Sequence, residues 1–469
     1  MLPKNLSRKA TLDVKVGWSE ETTMKSEWQS FLKVRAPRYT SYPTALEFSE
    51  KVGGDQYEEA LGSIQTYEPV SVYVHIPFCR QLCWYCGCNM RVENRYSRAL
   101  DYVGALTDEI STVGRMLGGK GRPSSVHFGG GTPNYLLPNE IGSILSAIET
   151  NIGLTDDASL AIELDPRILR DNDADELAEL GFKRMSLGIQ DFDEDVQTAI
   201  NRVQSFDLIE AAVGAIRGAG VTDLAFDLVY GLPKQTTETF QKTIDMTLAL
   251  SPDRISVFGY AHLPSVIKRQ SRIDEQDLPS NEVRAELASL ADERFTSAGY
   301  HRIGFDHYAR LDNPLAQAVL KGRLHRNFQG FTDDVAKNLI GLGASSISFV
   351  DGLYAQNEKG IQEYSEKARN GGLATAKGTR RSSVETVAAE AINSLLCDFY
   401  TDLTALKDTI SSSVFKQLLD NLKPYEDAGI VARDANLVTL NPEAFALARA
   451  VAFAIDPSAA TKNQFTRAV

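Results

Sequence analysis

The chain has 469 residues, 43% of them hydrophobic and 24% charged, which fits a globular protein of about two or three domains. Its formal net charge of −13 argues against a partner made of nucleic acid or anionic lipid, because phosphate groups would repel it. No uncharged apolar run is long enough to span a bilayer, and no apolar signal segment follows the basic N-terminal residues. We therefore expect a cytoplasmic protein that contacts neither nucleic acid nor membrane.

The first 68 residues show little periodicity and are predicted to form a separate N-terminal segment. Within them, residues 37–44 read Pro-Arg-Tyr-Thr-Ser-Tyr-Pro-Thr, an aromatic and polar run that contains two prolines. Because proline restricts the backbone, this run predicts an extended and specific loop, not a linker. We expect the segment to cover the active site of the domain that follows it.

From residue 70 onwards, strand-like and helical patterns alternate. Apolar strand-like runs are predicted at 70–76, 125–128, 160–164, 184–189, 224–230 and 254–260. Helices, with apolar residues three and four apart, are predicted at 100–117, 140–149, 174–180, 206–217 and 238–250. Such alternation predicts the α/β class, with a mostly parallel sheet that forms a partial (βα)6 barrel over residues 69–315.

Beyond residue 270 the pattern becomes mixed. A helix is predicted at 282–295, and residues 382–457 have the pattern of a small helical domain. Within that domain, residues 431–440 predict a β-hairpin and Pro442 the start of a helix, an outline that resembles a winged helix. We therefore predict a mostly helical C-terminal domain over residues 316–469. The acidic composition favours a structural or covering role for it over DNA binding.

The predicted ends of the barrel strands carry most of the informative residues. Cys79 follows the first strand, residues 129–133 (Gly-Gly-Gly-Thr-Pro) follow the second, and Asp165 follows the third. Gln190 ends the fourth strand, and residues 231–233 (Gly-Leu-Pro) end the fifth. In barrel folds the functional groups gather at the carboxyl ends of the strands, so we expect one site at this edge of the sheet.

Four of the five cysteines lie within ten residues, in the order Cys79, Cys83, Cys86 and Cys88. An odd number of cysteines with one tight group indicates a metal site in a reducing compartment, not a disulfide framework. Three thiolates on a short loop can bind three irons of a [4Fe–4S] cluster and leave one iron open. A zinc site, completed by His75 or Cys88, is the alternative. The fifth cysteine, Cys397, lies in an apolar run and is predicted to be a core residue.

The CxxxCxxC spacing of residues 79–86, followed by the glycine run at 129–133, resembles the radical S-adenosylmethionine (SAM) superfamily. Longer motifs narrow the resemblance to the oxygen-independent coproporphyrinogen III oxidases: the 38–44 run, YVHIPFC at 73–79, CWYCGCN at 83–89, DLVYGLPKQ at 227–235, YAHLP at 260–264 and LHRNFQG at 324–330. The resemblance extends from residue 37 to the end of the chain. It implies a [4Fe–4S] cluster bound by Cys79, Cys83 and Cys86, with one SAM molecule on the open iron and a second SAM beside it.

The resemblance also assigns residues to each SAM molecule. Those that match positions around the cluster-bound SAM are Tyr73, Gly130, Glu163 and Ile347. Those that match positions around the second SAM are Tyr85, Gly131, Thr132, Gln190, Arg202, Asp227 and Ala261. Carboxylates suit the ammonium group and ribose hydroxyls of SAM, and arginine suits its carboxylate. Cys88 either lines the cavity and assists turnover or is a small buried residue.

The implied substrate is coproporphyrinogen III, whose propionate side chains call for basic and hydrogen-bonding partners. The candidates for these contacts are Arg38, Tyr39, His307, Arg310, His325 and Arg326. The implied reaction decarboxylates two propionates to vinyl groups without oxygen and yields protoporphyrinogen IX, a step of haem biosynthesis. It requires a low-potential electron donor such as flavodoxin or ferredoxin, and the family suggests a monomer.

Three alternative functions stay open. A haem chaperone of the same superfamily would bind the same cofactors, but such proteins lack a segment like residues 37–44 and usually have phenylalanine in place of Cys88. A radical SAM enzyme that acts on another substrate is the second alternative. The third is a zinc-dependent winged-helix regulator, which the net charge of −13 disfavours.

Overall fold

The structure is a computed structural model that describes residues 26–459. Its strands are β1 (Pro69–Ile76), β2 (Phe78–Cys79), β3 (Arg91–Val92), β4 (Arg122–Gly130), β5 (Ser159–Leu164), β6 (Phe182–Gln190), β7 (Asp223–Tyr230), β8 (Arg254–Gly259), β9 (Tyr300–Ile303), β10 (His307–Arg310), β11 (His325–Asn327), β12 (Gly330–Thr332), β13 (Asn338–Leu342), β14 (Ile347–Val350), β15 (Leu353–Asn357), β16 (Thr375–Arg380), β17 (Tyr400–Asp402), β18 (Val431–Asp434) and β19 (Leu437–Leu440). Its α-helices are α1 (Gly54–Ser63), α2 (Tyr96–Leu117), α3 (Pro138–Asn151), α4 (Asp173–Glu179), α5 (Glu194–Ala199), α6 (Phe206–Gly218), α7 (Thr237–Leu250), α8 (Asn281–Ser297), α9 (Pro314–Leu320), α10 (Ile361–Arg369), α11 (Ser383–Asp398), α12 (Thr404–Thr409), α13 (Ser412–Asp427) and α14 (Ala448–Ala454). Short 3-10 helices lie at Ser26–Lys33, Ala45–Glu47, Pro133–Tyr135, Pro166–Ile168, Lys268–Arg272, Glu275–Asp277 and Pro442–Leu447.

Twelve strands form one sheet, in the order β16-β15-β14-β13-β1-β4-β5-β6-β7-β8-β10-β9. The pairs from β13 to β8 are parallel, and the strands added at each edge are antiparallel. Within residues 26–459 the edge strands β16 and β9 do not pair with each other, so the sheet is an open, partial barrel. The predicted α/β class is confirmed, and the six predicted strands appear as β1 and β4–β8. The predicted barrel helices appear as α2, α3, α4, α6 and α7, whereas the short α5 was not predicted.

The barrel strands have one apolar and one polar face, because successive side chains point to opposite sides of a strand. On β1, Val70, Val72 and Val74 are fully buried in the main hydrophobic core, which includes residues of the surrounding helices. Burial of each such side chain contributes about 1.5 kcal/mol or more. The alternate residues Tyr73 and His75 bond to each other at 3.1 Å on the interior face. The interior of the barrel is therefore polar just below the cysteine loop.

Residues 338–380 add four strands to the same sheet. Strand β13 pairs in parallel with β1, with Tyr73 opposite Gly341, and β14, β15 and β16 follow as an antiparallel meander. The sheet therefore continues across the predicted boundary between residues 315 and 316, and the division into three domains stays a prediction. The predicted units 1–68 and 316–469 also include residues 1–25 and 460–469, which lie outside the described residues.

The N-terminal segment is anchored on the C-terminal part of the chain. The hydroxyl groups of Tyr39 and Tyr42 donate to the carboxylate of Asp456 at 3.1 and 2.6 Å. Between these contacts and the barrel, Arg38 Nη2 donates to the carbonyl oxygen of Gly259 at 2.8 Å, at the carboxyl end of β8. The run 37–44 contains no helix, as its prolines predicted, and it reaches the edge of the sheet where the cysteines lie.

The C-terminal region combines helices with a small sheet. Strands β17, β19 and β18 form this sheet, in that order, and β18 and β19 are the predicted hairpin, with Val431 opposite Leu440. A 3-10 turn begins at Pro442 and leads into α14, so the predicted helix start is also confirmed. No helix between residues 26 and 459 is both long and apolar enough to cross a bilayer.

Candidate active site at the carboxyl ends of the barrel strands

A cavity of about 500 Å³ lies at the carboxyl ends of the barrel strands. The predicted residues that line it are Arg38, Cys79, Cys83, Tyr85, Cys86, Cys88, Gly130, Gly131, Thr132, Glu163, Gln190, Arg202, Asp227 and Ala261. These residues come from five strands, β4 to β8, or the segments that follow them, and from the cysteine loop and the N-terminal segment. The fold thus brings together residues that are more than 200 positions apart in the chain.

The cysteine loop is fixed at both ends by the backbone. Strand β2 pairs with β3, so that Cys79 lies opposite Val92, and the N–H of Trp84 donates to the carbonyl of Ile200 at 2.9 Å. All described cysteines are free thiols, so the loop is not closed by a disulfide. Cys88 is exposed and lines the cavity, which favours the interpretation that it faces the cavity over that of a small buried residue.

The cysteines of the loop differ in their electrostatic surroundings. Burial raises the pKa of Cys79, and the neighbouring Cys86 and Cys83 thiols raise it further. A hydrogen bond from the Cys88 thiol lowers the pKa of Cys86 and raises that of Cys88. A neutral thiol is deprotonated outright once it coordinates a metal, so the raised pKa of Cys79 is compatible with a ligand role.

The thiols fit a cluster better than a single ion. Within residues 26–459, no group of three His, Cys, Asp or Glu side chains has the geometry to hold one metal ion. The thiolates of a [4Fe–4S] cluster bind three different irons, so their sulfurs need not converge on a single point. Both ring nitrogens of His75 are also engaged, Nδ1 with the hydroxyl of Tyr73 at 3.1 Å and Nε2 with the carbonyl of Asn89 at 2.9 Å. This arrangement disfavours the zinc site completed by His75.

Arg202 connects the cysteine loop to strand β6. Its Nη2 donates to the carbonyl of Gly188 at 2.6 Å, and its Nη1 lies 3.6 Å from Cys83 Sγ and 3.5 Å from Asp165 Oδ2. The Nε atom of Arg202 is buried and has no hydrogen-bond partner in the described structure. A buried donor without a partner is costly, so it marks a place for a ligand acceptor such as a carboxylate.

Asp165 and Arg167 belong to the same group, although neither was predicted to have a specific role. Arg167 Nη2 donates to Asp165 Oδ2 at 2.6 Å, and both residues line the cavity. Burial alone would raise the pKa of Asp165, but Arg202 and Arg167 outweigh it and hold this pKa below its usual value. Asp165 was predicted among the informative strand-end residues, whereas Arg167 was not predicted.

The glycine run at the end of β4 has no room for side chains, because neighbouring residues of the protein lie too close to it. A Cβ atom on Gly130 would lie 2.7 Å from the ring of His75, and one on Gly131 would lie 2.7 Å from the carbonyl oxygen of Phe78. The N–H of Thr132 donates to that same oxygen at 2.8 Å. The run therefore packs against the residues that lead into Cys79 and also forms part of the cavity wall.

Two carboxylates face the cavity from strands β5 and β7, which β6 separates in the sheet. Glu163 Oε1 lies 3.0 Å from His127 Nε2, and its side chain is 43% exposed. Burial, followed by repulsion from Glu163, raises the pKa of Asp227 to about 6. The negative charge at this wall suits a cationic ligand.

Gln270 contacts two of the predicted site residues, although the sequence did not predict a role for Gln270 itself. Its Nε2 donates to the carbonyl oxygens of Tyr85 at 2.9 Å and Ala261 at 3.0 Å. It therefore holds the cysteine loop against the segment after β8. The residue lies in a 3-10 helix without a recognisable motif, so the sequence carried no signal for it.

A smaller cavity of about 110 Å³ adjoins the first and shares Arg38 and Gly259 with it. Its charged and titratable lining consists of Arg38, Asp306, His307, Arg326 and Arg449, together with Tyr230 and Tyr308. His307 Nδ1 lies 2.6 Å from Asp306 Oδ1, and burial lowers the pKa of Arg449 to about 10. Three arginines and one histidine against a single aspartate make this cavity suitable for carboxylate groups.

Arg326 also holds the N-terminal segment in place. Its guanidinium lies between the rings of Phe305 and Phe331, 5.1 and 4.8 Å from their centroids. Its Nη1 donates to the carbonyl oxygens of Arg38 at 3.2 Å and Tyr39 at 3.4 Å. These contacts fix the position from which Arg38 enters both cavities.

The remaining predicted residues lie elsewhere. The ring of Tyr73 lies beneath the glycine run, 3.0 Å from where a Cβ of Gly129 would be, and Ile347 is buried in a separate apolar cluster. Tyr39 and His325 line a third cavity, of about 560 Å³, behind Arg326.

Arg310 does not reach either of the first two cavities and is exposed. Its predicted substrate contact is not supported, because β10 runs antiparallel to β8. The residue opposite Arg254 is Ala309, and Arg310 therefore lies at the amino end of the barrel strands.

Comparison with known proteins agrees with the geometry of the site. Residues 73–247 match the family model of the Radical SAM superfamily. The chain is 38% identical over 440 residues to an oxygen-independent coproporphyrinogen III oxidase of Cereibacter sphaeroides and 39% identical over 442 residues to that of Pseudomonas aeruginosa. Each alignment covers 92% of this chain and 96% of the relative. The solved coproporphyrinogen III oxidase of Escherichia coli, described as a radical SAM enzyme, superposes with a TM-score of 0.84 at 37% identity and covers 89% of this chain and 97% of that structure.

Proposed function

Because this chain belongs to the family of oxygen-independent coproporphyrinogen III oxidases, within the radical SAM superfamily, we propose that it converts coproporphyrinogen III to protoporphyrinogen IX without oxygen. The observation that carries the proposal is the adjacency of two cavities, one lined by the cysteine loop and the other by arginine and histidine side chains. An enzyme of this kind must hold a redox cofactor and a polycarboxylate side by side.

Cys79, Cys83 and Cys86 would hold the [4Fe–4S] cluster, since they are free and line one cavity. When bound, the cluster and SAM supply a 5′-deoxyadenosyl radical that removes a hydrogen atom from a propionate side chain. The work of the protein is to orient the reactants and to exclude water from the cavity. The N-terminal segment contributes to this exclusion, because Arg38 lies over the carboxyl end of β8.

We further propose that two SAM molecules bind beside each other in the larger cavity. Glu163 and Asp227 would face cationic or hydroxyl groups, and the buried Nε of Arg202 would donate to a carboxylate. The roles of Tyr73 and Ile347 near the cluster-bound SAM rest on the family resemblance alone. Cys88, exposed to the cavity, would line the reacting space.

The propionates of the substrate would bind at the smaller cavity. Arg38 belongs to the walls of both cavities, and His307 is held by Asp306. An arginine that reaches both spaces can fix one propionate while another lies near the cofactor. The proposal also includes a low-potential electron donor such as flavodoxin or ferredoxin, a monomeric state, a cytoplasmic location and no binding to nucleic acid or membrane.

An anaerobic assay tests this function. Reconstituted protein, SAM, a reductant, an electron acceptor and coproporphyrinogen III should give carbon dioxide, 5′-deoxyadenosine and a divinyl porphyrinogen, detected by chromatography after oxidation. Replacing Cys79, Cys83 and Cys86 by serine should abolish iron loading and turnover. Cys397→Ala is the matched control, because that thiol is buried in a different apolar cluster. Unchanged coproporphyrin together with tight stoichiometric haem binding would support a haem chaperone instead.

A further inference from the structure

A basic surface surrounds the outer end of the cysteine loop. Residues 79–98 contain four arginines and one glutamate and no other Asp, Glu or Lys, so they carry a formal charge of +3 in a chain of −13. The arginines are Arg80, Arg91, Arg95 and Arg98, and all four are exposed. We call these four residues the cluster-loop patch. Its charge is opposite in sign to that of the protein as a whole.

The fold holds the patch beside Cys79. In the pairing of β2 with β3, Arg91 lies opposite Phe78, the residue before Cys79. The N–H of Glu93 donates to the carbonyl oxygen of Cys79 at 3.2 Å. Arg91 and Arg98 both approach the carboxylate of Glu93, at 3.5 and 3.0 Å. Two arginines thus flank one carboxylate, directly next to the first cysteine of the loop.

Arg80 lies on the same face. Its guanidinium stands over the ring of Tyr135, 4.5 Å from the ring centroid, and the hydroxyl of Tyr135 donates to the carbonyl oxygen of Glu93 at 2.9 Å. The N–H of Arg95 donates to the Glu93 carboxylate at 3.0 Å. All four patch residues are therefore tied to one short stretch of backbone, and Glu93 balances only one of their charges.

We propose that the cluster-loop patch is the docking surface for an acidic, low-potential electron-carrier protein. The inference rests on the proposed function, which requires that the cluster be reduced from outside. One electron leaves the reduced carrier and enters the oxidised cluster, and no bond or proton moves in this step. The cavity side of the loop is taken up by SAM and substrate, so the carrier approaches the opposite side, next to Cys79.

Charge complementarity identifies the partner. A chain with a net charge of −13 repels an acidic protein over most of its surface, whereas a segment with a formal charge of +3 attracts that protein to one place. Complementary fields of this kind change association rates by about 10- to 1,000-fold. The effect is screened over about 10 Å at 0.1 M salt, so it acts mainly at low ionic strength.

The test compares two reductants on the cluster-loaded, full-length protein. In the patch variant, Arg80→Glu and Arg95→Glu are combined, which leaves the Arg91 and Arg98 contacts to Glu93 in place. In the matched control, Lys407→Glu and Lys416→Glu change the charge equally at exposed positions of α12 and α13. Stopped-flow bleaching of the cluster is followed with reduced flavodoxin and, separately, with photoreduced deazaflavin, which is small and needs no docking surface.

The patch variant should be reduced by flavodoxin at least about tenfold more slowly than the control at low salt, and the difference should shrink at high salt. Both variants should be reduced equally fast by photoreduced deazaflavin and should then turn over substrate equally. Equal flavodoxin rates in the two variants would overturn the docking proposal. If the control protein bound RNA and the patch variant did not, while both were reduced by flavodoxin at the same rate, the patch would be assigned to nucleic acid and the docking proposal would also be overturned. Failure of the wild-type protein to turn over with deazaflavin would instead contradict the proposed function.

Discussion

The contact between Asp456 and the N-terminal segment provides a direct test of how this segment serves the site. Asp456 is 1% exposed, and its carboxylate accepts hydrogen bonds from the hydroxyls of Tyr39 and Tyr42, which are both 4% exposed. Removing the acceptor of a buried donor costs about 1–3 kcal/mol, so Asp456→Ala should weaken the attachment of the segment by about 2–6 kcal/mol. The opening equilibrium of residues 37–44 should then rise by about 30-fold or more.

The consequence for function follows from the position of Arg38. This residue is one place before Tyr39 and enters both cavities, so opening of the segment withdraws it. We expect Asp456→Ala to raise the KM for coproporphyrinogen III by about tenfold or more while cluster content and SAM binding stay close to wild type. Hydrogen exchange of residues 37–44 measures the opening, and steady-state kinetics with a chemical reductant measures the KM.

Asp420→Asn is the matched control, because Asp420 is exposed on α13 and should change neither quantity. Faster exchange of the segment with an unchanged KM would refute the role of the segment in substrate binding. Unchanged exchange would refute the energetic argument itself.

Three further predictions concern the cavities. Burial and Glu163 raise the pKa of Asp227 to about 6, so this carboxyl becomes neutral as the pH falls through 6. Calorimetry should therefore show that SAM affinity declines over this pH range in the wild type but stays constant in Asp227→Asn. An identical pH profile in both proteins would exclude Asp227 from the SAM site. Gly131→Ala should lose iron loading, because its Cβ would lie 2.7 Å from the backbone oxygen of Phe78. The control Gly104→Ala, in the middle of α2, meets nothing within 4 Å and should raise the free energy of unfolding in denaturant by about 0.5–1 kcal/mol. Normal iron content in Gly131→Ala would contradict the steric argument. Arg38→Gln should raise the KM for the substrate by about tenfold, which corresponds to the loss of one charge-assisted hydrogen bond. The control Arg310→Gln should leave the KM within about twofold of wild type. An equal effect of the two substitutions would argue against the proposed position of the propionates.

Periodicity was sufficient for the barrel because its strands and helices are regular and bounded by glycine and proline. The strands predicted at 70–76 and 224–230 differ from β1 and β7 by one residue at one end. The meander β13–β16 was not predicted, since its strands are four to six residues long and only their pairing with β1 makes them a sheet. Short strands carry little pattern of their own, and long-range pairing supplies their stability.

The sequence by itself determined that the cysteine loop and the glycine run follow buried strands, because local chain geometry sets where each strand ends. Only the tertiary structure decided which charged residues share a cavity. Arg38 and Arg449 line one space although 411 positions separate them, while Arg310, three residues from His307, lies at the opposite end of the barrel. Strand direction and the docking of the N-terminal segment set these distances, and both depend on contacts between parts of the chain that no local pattern encodes.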